Sequence, residues 1–306
     1  MSDNKNIMLI TAVVLIFAII FAFALYGQNN EDIVKNKISG EKNNPVDDNS
    51  NDVTINEIFI KGSDTILPVS LAESEAFMEL YPQNKIIVIG GGSSIGIASF
   101  IEGEVEIAMA SRKIKDSEIE NAMEKGIRPV ETVIGWDGIA VIVNKNNPLD
   151  SLNIEQLKMI YTGKVSNWKE LGGSDEEIEV LVRDTSSGTY AFFKENVLDD
   201  EEYISTAVTE PNTEAVVEEV ATDTGAIGYI GLAYADSSVK MLGLESTEGT
   251  FHPEPEAILK GEYPLSRPLH YYTNGEPEGD VKKYMDFVLS EKGQTIISDV
   301  GYLPVS

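Results

Sequence analysis

The chain has no cysteine in its 306 residues. That excludes disulfides, Cys-ligated zinc, iron–sulfur centres, thiol catalysis and lipid attachment to an N-terminal Cys. Histidine is nearly absent too. His252 and His270 are the only two, too few for a multi-His metal site, and no metal or other cofactor is implied. Positive charge is scarce: 23 Lys and Arg stand against 51 Asp and Glu, for a net charge of -28. Nucleic acid needs a basic face, so this balance argues against it as a partner. Arginine is the rarest charged residue, confined to Arg112, Arg128, Arg183 and Arg267. Nucleotide motifs are missing. "YTGKV" around Lys164 lacks the glycine and hydroxyl of a P-loop, and "GGGSSIG" fits G-x-G-x-x-G in no register.

What is present begins with an uncharged apolar run from Ile7 to Tyr26. A helix of about 20 apolar residues spans the hydrocarbon core of a bilayer. Lys5 precedes the run and Glu31 and Asp32 follow it, a polarity that puts the N-terminus inside and the rest outside. The run reads as an uncleaved anchor or a cleaved signal; either places the folded part outside the cytoplasm, tethered or secreted. Residues 1–26 form this hydrophobic segment. Residues 27–56, rich in Asn, Asp, Lys and Ser, read as a flexible linker.

From Glu57 onward short β-rich runs alternate with amphipathic helices. "EIFIKG", "KIIVIG", "EIAMAS", "VETVIGWDGIAVIVN", "IEVLVRD" and "RPLHYYTN" read as strands. The helix after "GSDT" is expected to bury Val69, Ala72, Ala76 and Leu80. Asp116 or Ser117 is expected to cap the helix in "DSEIENAMEKG". The alternation implies an α/β fold with a largely parallel sheet, whose ligands bind beyond strand C-termini.

Four turns at strand ends share small or hydroxyl residues: "GSDT" (Gly62 to Thr65), "GGGSSIG" (Gly90 to Gly96), "ASR" (Ala110 to Arg112) and "RDTSSGT" (Arg183 to Thr189). Helix N-termini carry unpaired N–H groups, hydroxyls donate to oxyanions, and Gly lets backbone approach closely. Each turn alone fits an ordinary N-cap. Four together, with Arg112 and Arg183 inside them, fit an anion site, because the arginine fork matches a tetrahedral oxyanion. Asp137, within the apolar "GWDGIAV", is costly to bury without a partner. Beside an anion it would select one that carries a proton, as hydrogen phosphate does and sulfate at neutral pH does not. A serine hydrolase is the competing chemistry, since "GSSIG" fits the nucleophile elbow with Ser94 as nucleophile, but neither histidine sits in a promising context.

The blocks "KGSDTILPVSLAESEAFMELYP", "GGGSSIGIASFIEGEVEIAMASRKIK", "DGIAVIVNKNNPL", "IYTGKVSNWKELGG" and "VLVRDTSSGTYAFF" resemble the phosphate-binding receptors of high-affinity phosphate ABC importers. The resemblance runs from about Ile58 to the C-terminus. It implies a type II periplasmic-binding-protein fold, two α/β lobes with a hinge and a ligand cleft, following the N-terminal hydrophobic helix. Lobe one would hold residues 57–138 and 268–306, and lobe two residues 139–267. It implies a solute-binding protein rather than an enzyme, a monomer that takes inorganic phosphate between its lobes and delivers it to a permease. The implied phosphate-binding residues are Ser63, Asp64, Thr65, Ser93, Ser94, Ser111, Arg112, Asp137, Arg183, Ser187, Gly188 and Thr189. Arg112 would either touch phosphate or orient Asp137. Receptors for sulfate or molybdate, and a surface sensor without transport, are the alternatives.

Overall fold

A computed structural model describes residues 56–305. The apolar run, most of the linker and their expected membrane role lie outside these residues. No described helix is long and apolar enough to cross a membrane.

Three parallel strands open the fold: β1 (Asn56–Gly62), β2 (Asn84–Ile89) and β3 (Ile107–Ala110). Between and after them run helices α1 (Leu67–Leu80), α2 (Ser93–Ile101) and α3 (Asp116–Glu124). The long strand β4 (Pro129–Asn144) follows, then β5 (Ser151–Asn153) and α4 (Ile154–Tyr161). Next come β6 (Glu179–Arg183), α5 (Gly188–Leu198), β7 (Val208–Glu210), α6 (Thr213–Thr222) and β8 (Ala226–Gly231). The return path uses β9 (Val239–Ser246), β10 (Gly249–Phe251), α7 (Pro255–Leu259) and β11 (Ser266–Asn274). Helices α8 (Gly279–Val288) and α9 (Glu291–Val300) and strand β12 (Leu303–Pro304) close the chain.

The main strand order is β2-β1-β3-β11-β4-β8-β6-β7. Its outer thirds are parallel, as the strand–helix alternation requires. Its centre is not: β11 runs antiparallel to β3 and β4, and β4 runs antiparallel to β8 and β9. The largely parallel sheet expected from sequence is therefore a mixed one. The reason is β4. Its first part, through Gly138, pairs with β11, and Ile139–Val143 pair with β8 instead. One apolar strand of 16 residues thus serves two halves, and the chain returns along it in β11. Separate cores sit on the two halves, one around Phe77, Tyr271 and Tyr284 and one around Tyr161, Trp168 and Phe193.

Helix α1 corrects the expected buried face. Val69, Ser70, Glu73, Ser74 and Phe77 are inside, while Leu80 is exposed. Hydrogen bonds explain the rotation. Ser70 Oγ lies 2.5 Å from the Tyr271 hydroxyl, Tyr271 donates to Glu73 at 3.1 Å, and Ser74 meets Tyr284 at 3.2 Å. The α3 cap also differs. The Lys115 N–H donates to Glu118 at 2.8 Å, and Asp116 lies inside the first turn.

Burial pushes the Glu73 carboxyl up to about 8, with the Tyr271 hydrogen bond opposing. The native state then holds a proton that the unfolded chain releases from about 4.5 upward, so stability falls as pH rises between 4.5 and 8. Each bound proton contributes a slope of about 1.4 kcal/mol per pH unit. Glu73→Gln mimics the protonated form. Thermal unfolding across pH 5–9 should show its advantage over the wild type growing with pH; parallel curves would refute the assignment.

Candidate functional site

Strands β1 and β3 and the starts of α2 and α5 converge on one point. Gly62 ends β1 at φ +143, and a Cβ there would lie 2.1 Å from the Met109 carbonyl, so only glycine lets β1 and β3 close up. The chain then turns through Ser63, whose N–H donates to Met109 O at 2.9 Å and whose hydroxyl donates to Ser111 Oγ at 2.9 Å. Ser111 N–H donates to Ser93 Oγ at 3.1 Å. From the opposite half, Thr189 Oγ1 lies 2.9 Å from Thr65 Oγ1. A Cβ on Gly188 would stand 2.2 Å from Ser93 Oγ and 2.6 Å from Ser111 Oγ. Ser63, Thr65, Ser93, Ser111, Ser187 and Thr189 are all buried.

Ordinary capping accounts for only one of these hydroxyls. Ser187 caps α5, accepting from Tyr190 N–H at 3.3 Å. Neither α1 nor α2 has a side-chain cap, and the hydroxyls of Ser63, Thr65 and Ser93 turn toward the common point instead. The first loop is held from both sides. Tyr234 OH donates to Asp64 O at 2.6 Å, and Tyr302 OH donates to Thr65 O.

Asp137 shares this enclosure, and its partner was not foreseen. Arg267 stands directly opposite it in the β4–β11 register. Its Nε and Nη2 donate to Asp137 Oδ2 at 3.0 and 2.8 Å, and both residues are 1% exposed. Nη2 also reaches Thr189 Oγ1 at 3.0 Å, and Nη1 donates to Ser111 O at 3.1 Å. Leu232 N–H donates to Asp137 Oδ1 at 3.0 Å. Burial raises the Asp137 carboxyl above the usual range, and the Arg267 guanidinium and Leu232 N–H pull it back. The pairing comes from strand register, and no local pattern around Arg267 announces it.

The remaining expected residues lie around this core. Arg112 pairs with Glu118 through two bonds of 2.8 and 2.7 Å and donates to Ser94 Oγ at 3.0 Å. Of the two roles left open for Arg112, orienting Asp137 belongs to Arg267. Arg183 donates to Asp64 Oδ2 at 2.6 Å, Thr213 Oγ1 at 3.1 Å and Pro211 O at 3.3 Å. The other Asp64 oxygen accepts from Gly91 N–H at 2.7 Å. Asp64 and Arg183 thus tie the two halves together, beside two further bonds, Ser94 N–H to Ser186 O at 2.9 Å and Ser186 Oγ to Gly91 O at 3.0 Å. Ser94 has a guanidinium for a neighbour, and His270 Nδ1 faces Glu131 at 2.6 Å, so no serine–histidine pair forms.

Such a point can surround a small oxyanion with hydroxyl and amide donors while a carboxylate accepts. A two-halved sheet with strand-end loops meeting at a buried polar core defines the class of solute-binding proteins. Comparison with known proteins agrees. The PBP superfamily domain model matches residues 41–292. The phosphate-binding protein PstS of Bacillus subtilis is 36% identical over 251 residues, 81% of this chain and 81% of its own. That of Staphylococcus saprophyticus is 35% identical over 260 residues, 81% and 80% of the two chains. Among solved structures, an ABC-type phosphate transport receptor from Vibrio cholerae has a TM-score of 0.69 at 30% identity, covering 80% of this chain and 99% of its own. A substrate-binding protein assigned to phosphate ABC transport, with bound phosphate, from Clostridium perfringens has a TM-score of 0.75 at 38% identity, covering 82% and 100%. The chain belongs to the PstS family of periplasmic binding proteins, with the two-lobed α/β fold of that class.

Removing one member of a buried ion pair strands the other charge, at a cost of about 3–5 kcal/mol. Arg267→Met should therefore lose about that much unfolding free energy in urea titrations. Asp137→Leu combined with Arg267→Met should recover most of it. A double variant no more stable than the single would show that the pair is not the unit.

Proposed function

We propose that this protein captures inorganic phosphate between its two lobes, residues 57–138 with 268–306 and residues 139–267, and passes it to the permease of an ABC importer. It is a receptor, not an enzyme, and works outside the cytoplasmic membrane. The run from Ile7 to Tyr26 would tether it there as a monomer. The observation that carries the reading is the convergence of Ser63, Thr65, Ser93, Ser111, Asp137, Gly188 and Thr189 from both halves on one buried point.

The mechanism follows from what each group can give. The three arginines around the point are each matched by a carboxylate: Arg267 by Asp137, Arg183 by Asp64, Arg112 by Glu118. Little net charge remains, so the anion is held mainly by dipoles: hydroxyls, and the N–H groups that open α2 and α5. Exclusion of water strengthens each of these bonds. Arg267 is the cation nearest the hydroxyls, and the Asp64–Arg183 pair aligns the lobes that carry them. Asp137 accepts and does not donate, so it favours an anion bearing a proton and penalises sulfate.

Calorimetric titration tests this directly. Phosphate should bind tightly and sulfate and molybdate far more weakly. Gly188→Ala should weaken phosphate about tenfold to a hundredfold, because overpacking typically costs ~1–3 kcal/mol. Sulfate or molybdate binding as tightly as phosphate would remove phosphate as the ligand.

A further inference from the structure

Strands β4 and β11 change register once. Ser266 to Leu269 pair with Gly138 to Gly135, whereas His270 to Asn274 pair with Val133 to Pro129. Ile134 is left over, a bulge of one extra residue in β4. Pro268 lies beside the shift, and an interior strand tolerates proline chiefly at such irregularities. The bulge decides which side chains share a face. Opposed residues of an antiparallel pair point to the same side, and a slip of one residue reverses the match. In the observed register Arg267 opposes Asp137. Were the pairing of His270 to Asn274 continued without the extra residue, Arg267 would oppose Trp136 and point away from Asp137. The buried ion pair therefore depends on the bulge.

Gln294 of α9 fills the irregularity. Strand β12 pairs with β4 through Leu303–Trp136 and Pro304–Gly135, so Val305 and Ile134 would come next. The Gln294 amide stands between them instead. Its Nε2 donates to Ile134 O at 3.1 Å, and its Oε1 accepts from Val305 N–H at 2.8 Å. Nε2 also donates to the carbonyl of Val288, the last residue of α8, at 3.0 Å. A side-chain amide thus imitates a peptide group and pairs main-chain groups that the bulge takes out of the ladder. Gln294 and Ile134 are both buried, so water does not share the task. Ile297, also on α9, and the Leu303 carbonyl close on Gly135, where a Cβ would lie 3.2 and 3.0 Å from them.

Resting on the phosphate reading above, we infer that Gln294 is a positioning residue for the anion site. By filling the bulge at Ile134 it fixes the register that sets Asp137 against Arg267, and through that pair the preference for a protonated anion. Its own hydrogen bonds go to neither member of the pair. Without it, Asp137 shifts relative to Arg267 and to Thr189, which Arg267 also holds. Phosphate then loses an aligned acceptor, whereas sulfate, which the carboxylate repels, loses nothing.

The test uses the full-length protein and equilibrium dialysis of labelled phosphate, with unlabelled phosphate or sulfate as competitor, which gives both affinities. Gln294→Met keeps the bulk of the side chain and removes its hydrogen bonds. Gly135→Ala keeps those bonds but crowds Ile297 and Leu303 against the bulge. Tyr284→Phe is the control, since it removes a buried hydroxyl that meets Ser74 in the core of the same half and lies outside the site. Gln294→Met and Gly135→Ala should each weaken phosphate about tenfold, the scale of one lost charged hydrogen bond, and leave sulfate within about twofold. The preference for phosphate over sulfate then falls with them. Tyr284→Phe should lower the thermal unfolding temperature and leave the preference as in the wild type. An unchanged preference in folded Gln294→Met, or an equal fall in Tyr284→Phe, would overturn the positioning role while phosphate binding by the wild type stands. Should Gln294→Met not fold, Gly135→Ala decides, and an unchanged preference there overturns the inference. A wild type that binds no phosphate would instead sink the functional reading and this inference with it.

Discussion

The structure turns on a buried ion pair between neighbouring strands. Asp137 and Arg267 face each other where β4 and β11 carry the chain between its two halves. Taking two charges out of water is costly, and attraction alone rarely offsets it. Here further partners help. Leu232 N–H donates to the carboxylate, and Ser111 O and Thr189 Oγ1 accept from the guanidinium. The pair thereby fixes a loop from each half relative to the crossover.

Compensated charge also explains how a chain of net charge -28 can enclose an anion. A surplus of buried cations would be destabilising without ligand. Matched pairs avoid that, and under the proposed function leave the donor role to hydroxyls and helix termini, which carry no net charge. The neutral donors are also the shorter, stiffer groups. Ser and Thr have one heavy-atom rotor, and peptide N–H groups have none, so little rotamer freedom is lost on holding them in place.

Legibility in the sequence followed the range of the interaction. The strand-end turns were readable because "GSDT", "GGGSSIG" and "RDTSSGT" are local, and their hydroxyls do meet. Arg267 was not, because its role comes from register with a residue 130 positions earlier, and nothing near "SRPLHYY" signals a loop. The same holds for Arg183 and Asp64, whose bond spans 119 positions and ties halves rather than lying among the hydroxyls. The apolar spacing that placed Leu80 inside α1 could not show that Glu73 is buried instead, because its partner Tyr271 is again remote in sequence. Strands β5, β7, β9 and β10 are short or form edges around β4, and they left no clear pattern of alternation.

Helix starts show what the site withholds from stability. Helices α4, α6 and α9 are capped by Asn153, Asn212 and Ser290, as isolated helix energetics favour. A cap of this kind is worth about 1 kcal/mol. Helices α1 and α2 forgo it although hydroxyl residues stand within three positions of each start. Helices α7 and α8 also lack side-chain caps, but glutamate occupies the position and no hydroxyl is diverted. The difference lies in where the hydroxyls point: in α1 and α2 they leave the helix end and join residues from other elements. Hydroxyls that could cap these helices are thus spent on contacts between elements, a local loss of helix stability of the kind expected where a turn serves more than its own helix.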